Sequence, residues 1–164
     1  MVKTSRLETG VITLEKKGTS IAYTLVDAIN GILAGIEKKR MELSVDCPED
    51  IRVSHDSRWT SEALFNLLDN AVKYTAEGGS IQVRVEDWEM YVKIDVADTG
   101  KGIPESAQAA IFKRFYREEA VHDVEGGGIS LHLSREIITM QGGYITVESE
   151  LGRGATFSVF LPKE

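Results

Sequence analysis

Apolar positions recur along this chain with two different periods. After Ser20, residues Ile21, Leu25, Ile29, Ile32, Leu33 and Ile36 follow helical spacing, and Lys38, Lys39 and Arg40 put cations where a helix presents its negative end. Residues 20–40 are therefore predicted as helix. Leu64, Leu67, Leu68, Ala71 and Val72 form a second core-facing stripe, in a helix that Asp56 can cap and that runs to about residue 75. Between the two helices, Met41 to Val45 and Ile51 to Ser54 are short strand candidates, separated by the turn-like set Cys47-Pro48-Glu49-Asp50. Glu77-Gly78-Gly79 breaks the second helix. Ile81, Val83 and Val85 then alternate with polar residues, and Tyr91, Ile94 and Val96 begin another strand, the two predicted to pair antiparallel. Beyond Pro104 the pattern gives a short helix through Ile111, Phe112 and Phe115, a polar loop from Glu118 to Gly128 and a helix over about 129–140. Two closing strands, Tyr144 to Glu148 and Thr156 to Leu161, are joined by Gly152-Arg153-Gly154. Helices intermixed with neighbouring strand pairs favour an α+β two-layer sandwich over a doubly wound parallel sheet.

Length and charge narrow this picture. The 164 residues suit one domain; residues 1–15 are polar and read as the tail of a preceding segment, leaving 16–164 as the folded unit. No apolar run approaches the roughly 20 residues of a spanning helix, so this domain is expected to make no membrane contact. The start does not look like a signal peptide, and the single Cys47 allows no internal disulfide, which fits a reducing cytoplasm. A net charge of -7 argues against nucleic acid as a partner. Lys73, Lys101 and the group Lys113, Arg114 and Arg117 suffice for one polyphosphate.

Four segments carry candidate chemistry. Asn66, Asn70 and Lys73 stand at i, i+4 and i+7, on one stripe of the second helix. Such a stripe is either a solvated face or a site, since carboxamide oxygens suit Mg²⁺ and a lysine one turn on suits phosphate. In Asp98-Thr99-Gly100-Lys101-Gly102-Ile103-Pro104, after a strand, Asp98 either caps a turn or, facing a pocket, accepts from an exocyclic amino group. Gly126-Gly127-Gly128-Ile129-Ser130-Leu131 is either a hinge or a helix opening whose free amides receive phosphate. It matches neither a P-loop nor a dinucleotide fingerprint. Gly152 to Phe157 can be an ordinary tight turn.

Together and in this order, the four segments resemble the catalytic and ATP-binding domain of sensor histidine kinases, within the superfamily shared with gyrase, Hsp90 and MutL ATPases. Asn66 to Thr75 resembles the N box, Asp98 to Gly102 the G1 box, Ile111 to Arg117 the F box, Gly126 to Leu131 the G2 box and Gly152 to Phe157 the G3 box. The resemblance implies a Bergerat-type fold, a mixed and mainly antiparallel sheet covered by helices on one face. It implies ATP and Mg²⁺ as cofactors, with Asn66 and Asn70 on the metal and Lys73, Arg117 and Arg114 on phosphates. Tyr74 and Ile103 would pack near the nucleotide, Asp98 would accept from the adenine amino group, and Gly100 and Gly102 would give the base close access. Thr156 would support Asp98, the loop from Glu118 to Gly128 would form a lid, and Gly126, Gly128, Ile129, Ser130 and Leu131 would close on the phosphates. Ser130 departs from the family pattern, which usually has glycine there.

The resemblance also implies a mechanism and its limits. The ATPase branches carry a glutamate general base where this chain has Asn66, so transfer of the γ-phosphoryl group to a histidine is expected rather than hydrolysis of the gyrase or MutL type. A degenerate, non-catalytic interaction domain is the other alternative. The acceptor histidine of the family lies on an upstream helical hairpin, whose end Ser5-Arg6-Leu7-Glu8 resembles. His55-Asp56-Ser57-Arg58-Trp59-Thr60 imitates the acceptor signature but stands at the entrance to the N-box helix, and His122 and His132 lack acceptor surroundings. The expected partners are that hairpin and, indirectly, a response regulator; the expected location is the cytoplasmic part of a membrane-anchored sensor.

Overall fold

The computed structural model describes residues 14–48, 50–103 and 131–163. Among them the chain forms β1 (Lys17–Ser20), α1 (Ile21–Asn30), α2 (Leu33–Lys38), β2 (Glu42–Asp46), β3 (Arg52–His55), α3 (Ser57–Tyr74), β4 (Ser80–Asp87) and β5 (Tyr91–Asp98), then α4 (Leu131–Met140), β6 (Tyr144–Glu150) and β7 (Gly154–Pro162). Strands β2-β4-β5-β7-β6 make one sheet, in which β2 and β4 run parallel and the other pairs antiparallel. Alternate residues of β4 and β5, including Ile81, Val83, Ile94 and Val96, are buried under α3 and its neighbours. The result is the α+β two-layer arrangement, a mixed and mainly antiparallel sheet with helices on one face.

One sequence expectation is corrected here and another gains its partner. The helix predicted over 20–40 is two helices, broken at Gly31 and Ile32, whose N–H groups bond three residues back to Ala28 and Ile29. Asn30 and Gly31 are weak helix formers, and Gly31 lies so close to the Phe65 ring that a Cβ there would stand 2.7 Å from it, so the break lets the chain turn over α3. The strand predicted over 51–54 is present, but outside the main sheet. It pairs as β3 with β1 in a separate two-stranded ribbon, Lys17 opposite His55 and Ser20 opposite Arg52. Strand β1 is too short and polar to show a period.

A buried polar network fixes the start of α3. Asp56 Oδ1 accepts from the Trp59 N–H at 3.0 Å, Asp56 Oδ2 accepts from the Glu15 N–H at 2.8 Å, and the Asp56 N–H donates to Gln141 Oε1 at 2.8 Å. Gln141 Nε2 donates in turn to Thr60 Oγ1 at 2.9 Å, tying the end of α4 to the first turn of α3. The cap expected of Asp56 is present and satisfies an otherwise orphaned amide.

His55 is wholly buried (0% exposed) beside this network. Its Nδ1 lies 2.8 Å from the Val53 carbonyl, which can only accept, so Nδ1 carries the proton and Nε2 accepts from the Thr24 hydroxyl at 2.7 Å. Both ring nitrogens are used inside the core, and no acceptor role is left for this histidine. Burial pushes its pKa below the usual 6.5, against smaller opposing effects of the Val53 hydrogen bond and Asp56. The unfolded chain therefore binds more protons below 6.5, so the stability His55 contributes is full above that pH and is lost as pH falls through its folded pKa. Melting temperature should fall as pH is lowered from 7.5 toward 5. His55→Gln should flatten that part of the slope; an unchanged slope in the variant would contradict the assignment.

Candidate functional site

Helix α3 carries the first group of residues. Leu64, Leu67 and Leu68 face the core, and this fixes the rotation of the helix. Asn66 and Asn70 are 8% and 4% exposed, which excludes a freely solvated face and places both carboxamides at the margin of the core. Lys73 is partly exposed and its Nζ pairs with Asp69 one turn back at 2.8 Å. The Tyr74 ring has Lys101 Nζ above it, 5.7 Å from its centre, a cation–π contact that joins the end of α3 to the loop after β5.

That loop is held by its own carboxylate. Asp98 Oδ1 accepts from the Gly100 N–H at 2.9 Å and from the Ala155 N–H at 3.3 Å, so the expected turn cap is present and the same oxygen also ties the loop to β7. Burial pushes the Asp98 pKa up and the two amides oppose that rise, the desolvation being larger. Desolvation strengthens whatever hydrogen bond this carboxylate accepts.

The glycines serve the protein's own packing first. A Cβ on Gly100 would stand 2.6 Å from the Tyr74 carbonyl oxygen and 3.0 Å from Thr75 Oγ1 and Asp98 Oδ1. Gly102, at φ +78°, leaves no room for a Cβ against the Glu150 carbonyl, and Gly154 none against the Asp98 carbonyl. Thus the end of α3, the Asp98 loop and the β6–β7 turn approach one another backbone to backbone. Ser149 Oγ completes the joint, accepting from the Ile103 N–H at 2.7 Å and donating to the Gly154 carbonyl at 2.8 Å.

Thr156 is placed differently from expectation. Ala155 is the residue opposite Asp98, whereas Thr156 lies opposite Ala97 and Glu148, on the other face of the sheet. Support for Asp98 comes from the Ala155 backbone instead. Asp98 and Thr156 nevertheless both border an open cleft of about 530 Å³, together with Ser149, Glu150 and Arg153. Leu131 is a buried core residue at the start of α4. Arg114, Arg117, Gly126, Gly128, Ile129 and Ser130, with the expected F-box helix and lid, lie outside the described residues.

Sequence reasoning missed Lys39, Thr75 and Ser149. Among the described residues Thr75 Oγ1 is the buried side-chain oxygen without a hydrogen-bond partner, and Thr75 is 1% exposed. Its position after the helix stripe carries no periodic signal. Ser149 alternates with glutamates on an edge strand and looks like solvent-facing filler.

A family profile described as "Histidine kinase-, DNA gyrase B-, and HSP90-like ATPase" matches residues 55–164. The adaptive-response sensory kinase SasA of Synechococcus sp. (strain JA-3-3Ab) is 39% identical over 146 residues, which is 88% of this chain and 39% of that protein. The chain spans less than half the length of the curated relatives it matches. Among solved structures, the nucleotide-free catalytic domain of histidine kinase ThkA superposes with a TM-score of 0.82 at 28% identity, covering 92% of this chain and 97% of that one. ThkA in complex with the response regulator protein TrrA gives 0.79 at 26% identity, covering 99% and 49%. Full-length ShkA in complex with AMPPNP gives 0.81 at 27% identity, covering 96% and 33%. With these relatives and with the Asn66, Asn70 and Asp98 arrangement built on this fold, the chain belongs to the histidine kinase-, gyrase B- and HSP90-like ATPase family, as a histidine kinase catalytic domain.

Proposed function

We propose that this chain binds Mg-ATP and donates the γ-phosphoryl group to a histidine on a separate helical hairpin, as the catalytic half of a two-component sensor kinase. The observation that carries the reading is Asp98. Its carboxylate is desolvated, holds two backbone amides on Oδ1, and stands on the wall of a cleft that the end of β5 forms with β6, β7 and the turn between them. An acceptor-only group so placed selects the exocyclic amino group of adenine over the carbonyl oxygen that guanine presents there. The orphaned Thr75 hydroxyl against the same loop is a further polar group that a purine can satisfy.

The remaining roles follow from position. Asn66 and Asn70, one turn apart on α3, fit Mg²⁺ because that ion takes few protein oxygens and keeps phosphate and water as its other ligands. When bound, the ion would neutralise charge on the phosphates during transfer. Lys73 would exchange Asp69 for a phosphate oxygen, Tyr74 would pack along the nucleotide, and Arg117 and Arg114, with Gly126, Gly128, Ile129 and Ser130, would meet the phosphates as the family resemblance implies. Chemistry of this kind is chiefly positioning: the γ-phosphorus bonds to an imidazole nitrogen of the acceptor as its bond to the ADP oxygen breaks. Asn66 cannot take a proton from water as a glutamate would, which favours the histidine over hydrolysis. In the cell the domain would lie on the cytoplasmic side of a longer, membrane-anchored sensor that passes phosphate to a response regulator. Among the described residues no helix is long and apolar enough to cross a membrane.

Asp98→Asn keeps an oxygen for the two amides but loses the charged acceptor. Calorimetric titration should show Mg-ATP binding weakened about tenfold or more, because a hydrogen bond to a charged group contributes about 1.5–3 kcal/mol. The same variant should melt no lower than the parent at pH 7, since it removes a carboxylate that burial disfavours; affinity retained with a lowered melting point would contradict both assignments. When the acceptor hairpin of a related kinase is supplied as a separate chain with γ-labelled ATP and Mg²⁺, label should move to the hairpin and remain unaffected by His55→Ala. Fast phosphate release without the hairpin would instead support an ATPase.

A further inference from the structure

Helix α3 ends without the usual closing device. The C-cap residue is not left-handed: Thr75 follows Tyr74 directly in extended conformation, φ −106° and ψ 133°. A helix ending this way leaves its last carbonyls in need of donors. Lys39 supplies them. Its Nζ donates to the Val72 carbonyl at 2.6 Å, to the Thr75 carbonyl at 2.7 Å and to the Lys73 carbonyl at 3.3 Å, so the three donors of one ammonium converge on one helix end. The positive charge also meets the negative end of the helix dipole.

Lys39 is itself anchored in the connection between α2 and β2. Its N–H donates to the Gly35 carbonyl at 3.1 Å, and its carbonyl accepts from the Gly78 N–H at 2.8 Å, so both side chain and backbone hold the turn that follows α3. Partial desolvation lowers the Lys39 pKa, and the three carbonyls compensate the partly buried charge.

The turn so capped is the one that carries Lys73 and Tyr74. It also abuts the Asp98 loop, where Gly100 has no room for a Cβ beside the Tyr74 carbonyl and Thr75 Oγ1. The Lys101 ammonium over the Tyr74 ring is a second contact across the same joint. A shift of the helix end would therefore move Lys73 relative to Asp98. We propose that Lys39 is a positioning residue for the nucleotide, whose ammonium sets the distance between the phosphate-facing end of α3 and the base-facing Asp98 loop. The inference rests on the Mg-ATP reading of this site.

The test uses the full 164-residue chain and its Lys39→Met and Lys39→Arg variants. Mg-ATP affinity is measured by calorimetry at a temperature where circular dichroism shows each protein folded. Lys39→Met should weaken Mg-ATP about tenfold, with Lys39→Arg retaining part of the loss because it keeps a charged donor. In a Lys73→Met background the penalty of Lys39→Met should shrink to about twofold, since the two residues act through one turn. A purely structural lysine would lower the melting temperature and leave affinity unchanged. That outcome, or an equal penalty in both backgrounds, overturns the proposal. If Lys39→Met does not fold, Lys39→Gln, which keeps two N–H donors, replaces it in the same comparison. Failure of the parent chain to bind Mg-ATP removes the functional reading and this inference with it; binding by the parent with unchanged affinity in the Lys39 variants removes this inference alone.

Discussion

The rotation of α3 about its own axis is the constraint on which the rest of the site depends. Ala63, Leu64, Leu67 and Leu68 are essentially inaccessible to water, packed between α1, α4 and the sheet, and no other rotation of the helix buries them together. Ser134 Oγ donates to the Ala63 carbonyl at 2.9 Å, which locks α4 against the middle of α3 by a buried hydrogen bond as well as by packing. With the rotation fixed, Asn66 and Asn70 fall at the core margin and Lys73 at the partly exposed end. Asp56 at one terminus and Lys39 at the other hold the helix along its axis. The same burial that stabilises the domain thus orients the residues proposed to meet metal and phosphate.

The Asp98 loop is built by a different principle. There the approach of backbones decides the geometry, and Gly100, Gly102 and Gly154 are the residues that permit it. Asp98 gains two amide donors from this crowding and loses solvent, a combination that keeps a carboxylate in place while costing stability. Proteins tolerate such a group where it serves a ligand, and the cost is spread over the cross-links from Ser149 and the β5–β7 ladder.

Much of this was legible in the sequence because periodicity reports burial. The α3 stripe, the alternation of β4 and β5 and the closing β6–β7 pair all appear where the pattern of apolar residues puts them. The break at Gly31 and the β1–β3 ribbon were not legible: the apolar period runs unbroken across Gly31, and β1 is four residues with little apolar content. The motif residues Asn66, Asn70 and Asp98 stand out in the sequence because their chemistry is local to the chain. In the sequence Lys39 is a cation at the end of its own helix, whereas its partners lie more than 30 residues away at the end of another. Direct support of Asp98 falls to Ala155 and not Thr156 by parity: one residue along a strand is the other face of the sheet, and only the register with Asp98 identifies Ala155 as its neighbour.

If the end of α3 and the Asp98 loop form one nucleotide site, a single ligand must perturb both. The direct measurement is a nuclear magnetic resonance titration of the isotope-labelled chain with Mg²⁺ and a non-hydrolysable ATP analogue. The side-chain amides of Asn66 and Asn70 and the backbone amides of Gly100 and Ala155 should shift along one shared binding curve. Shifts confined to one wall, or two walls titrating with different midpoints, would contradict the account.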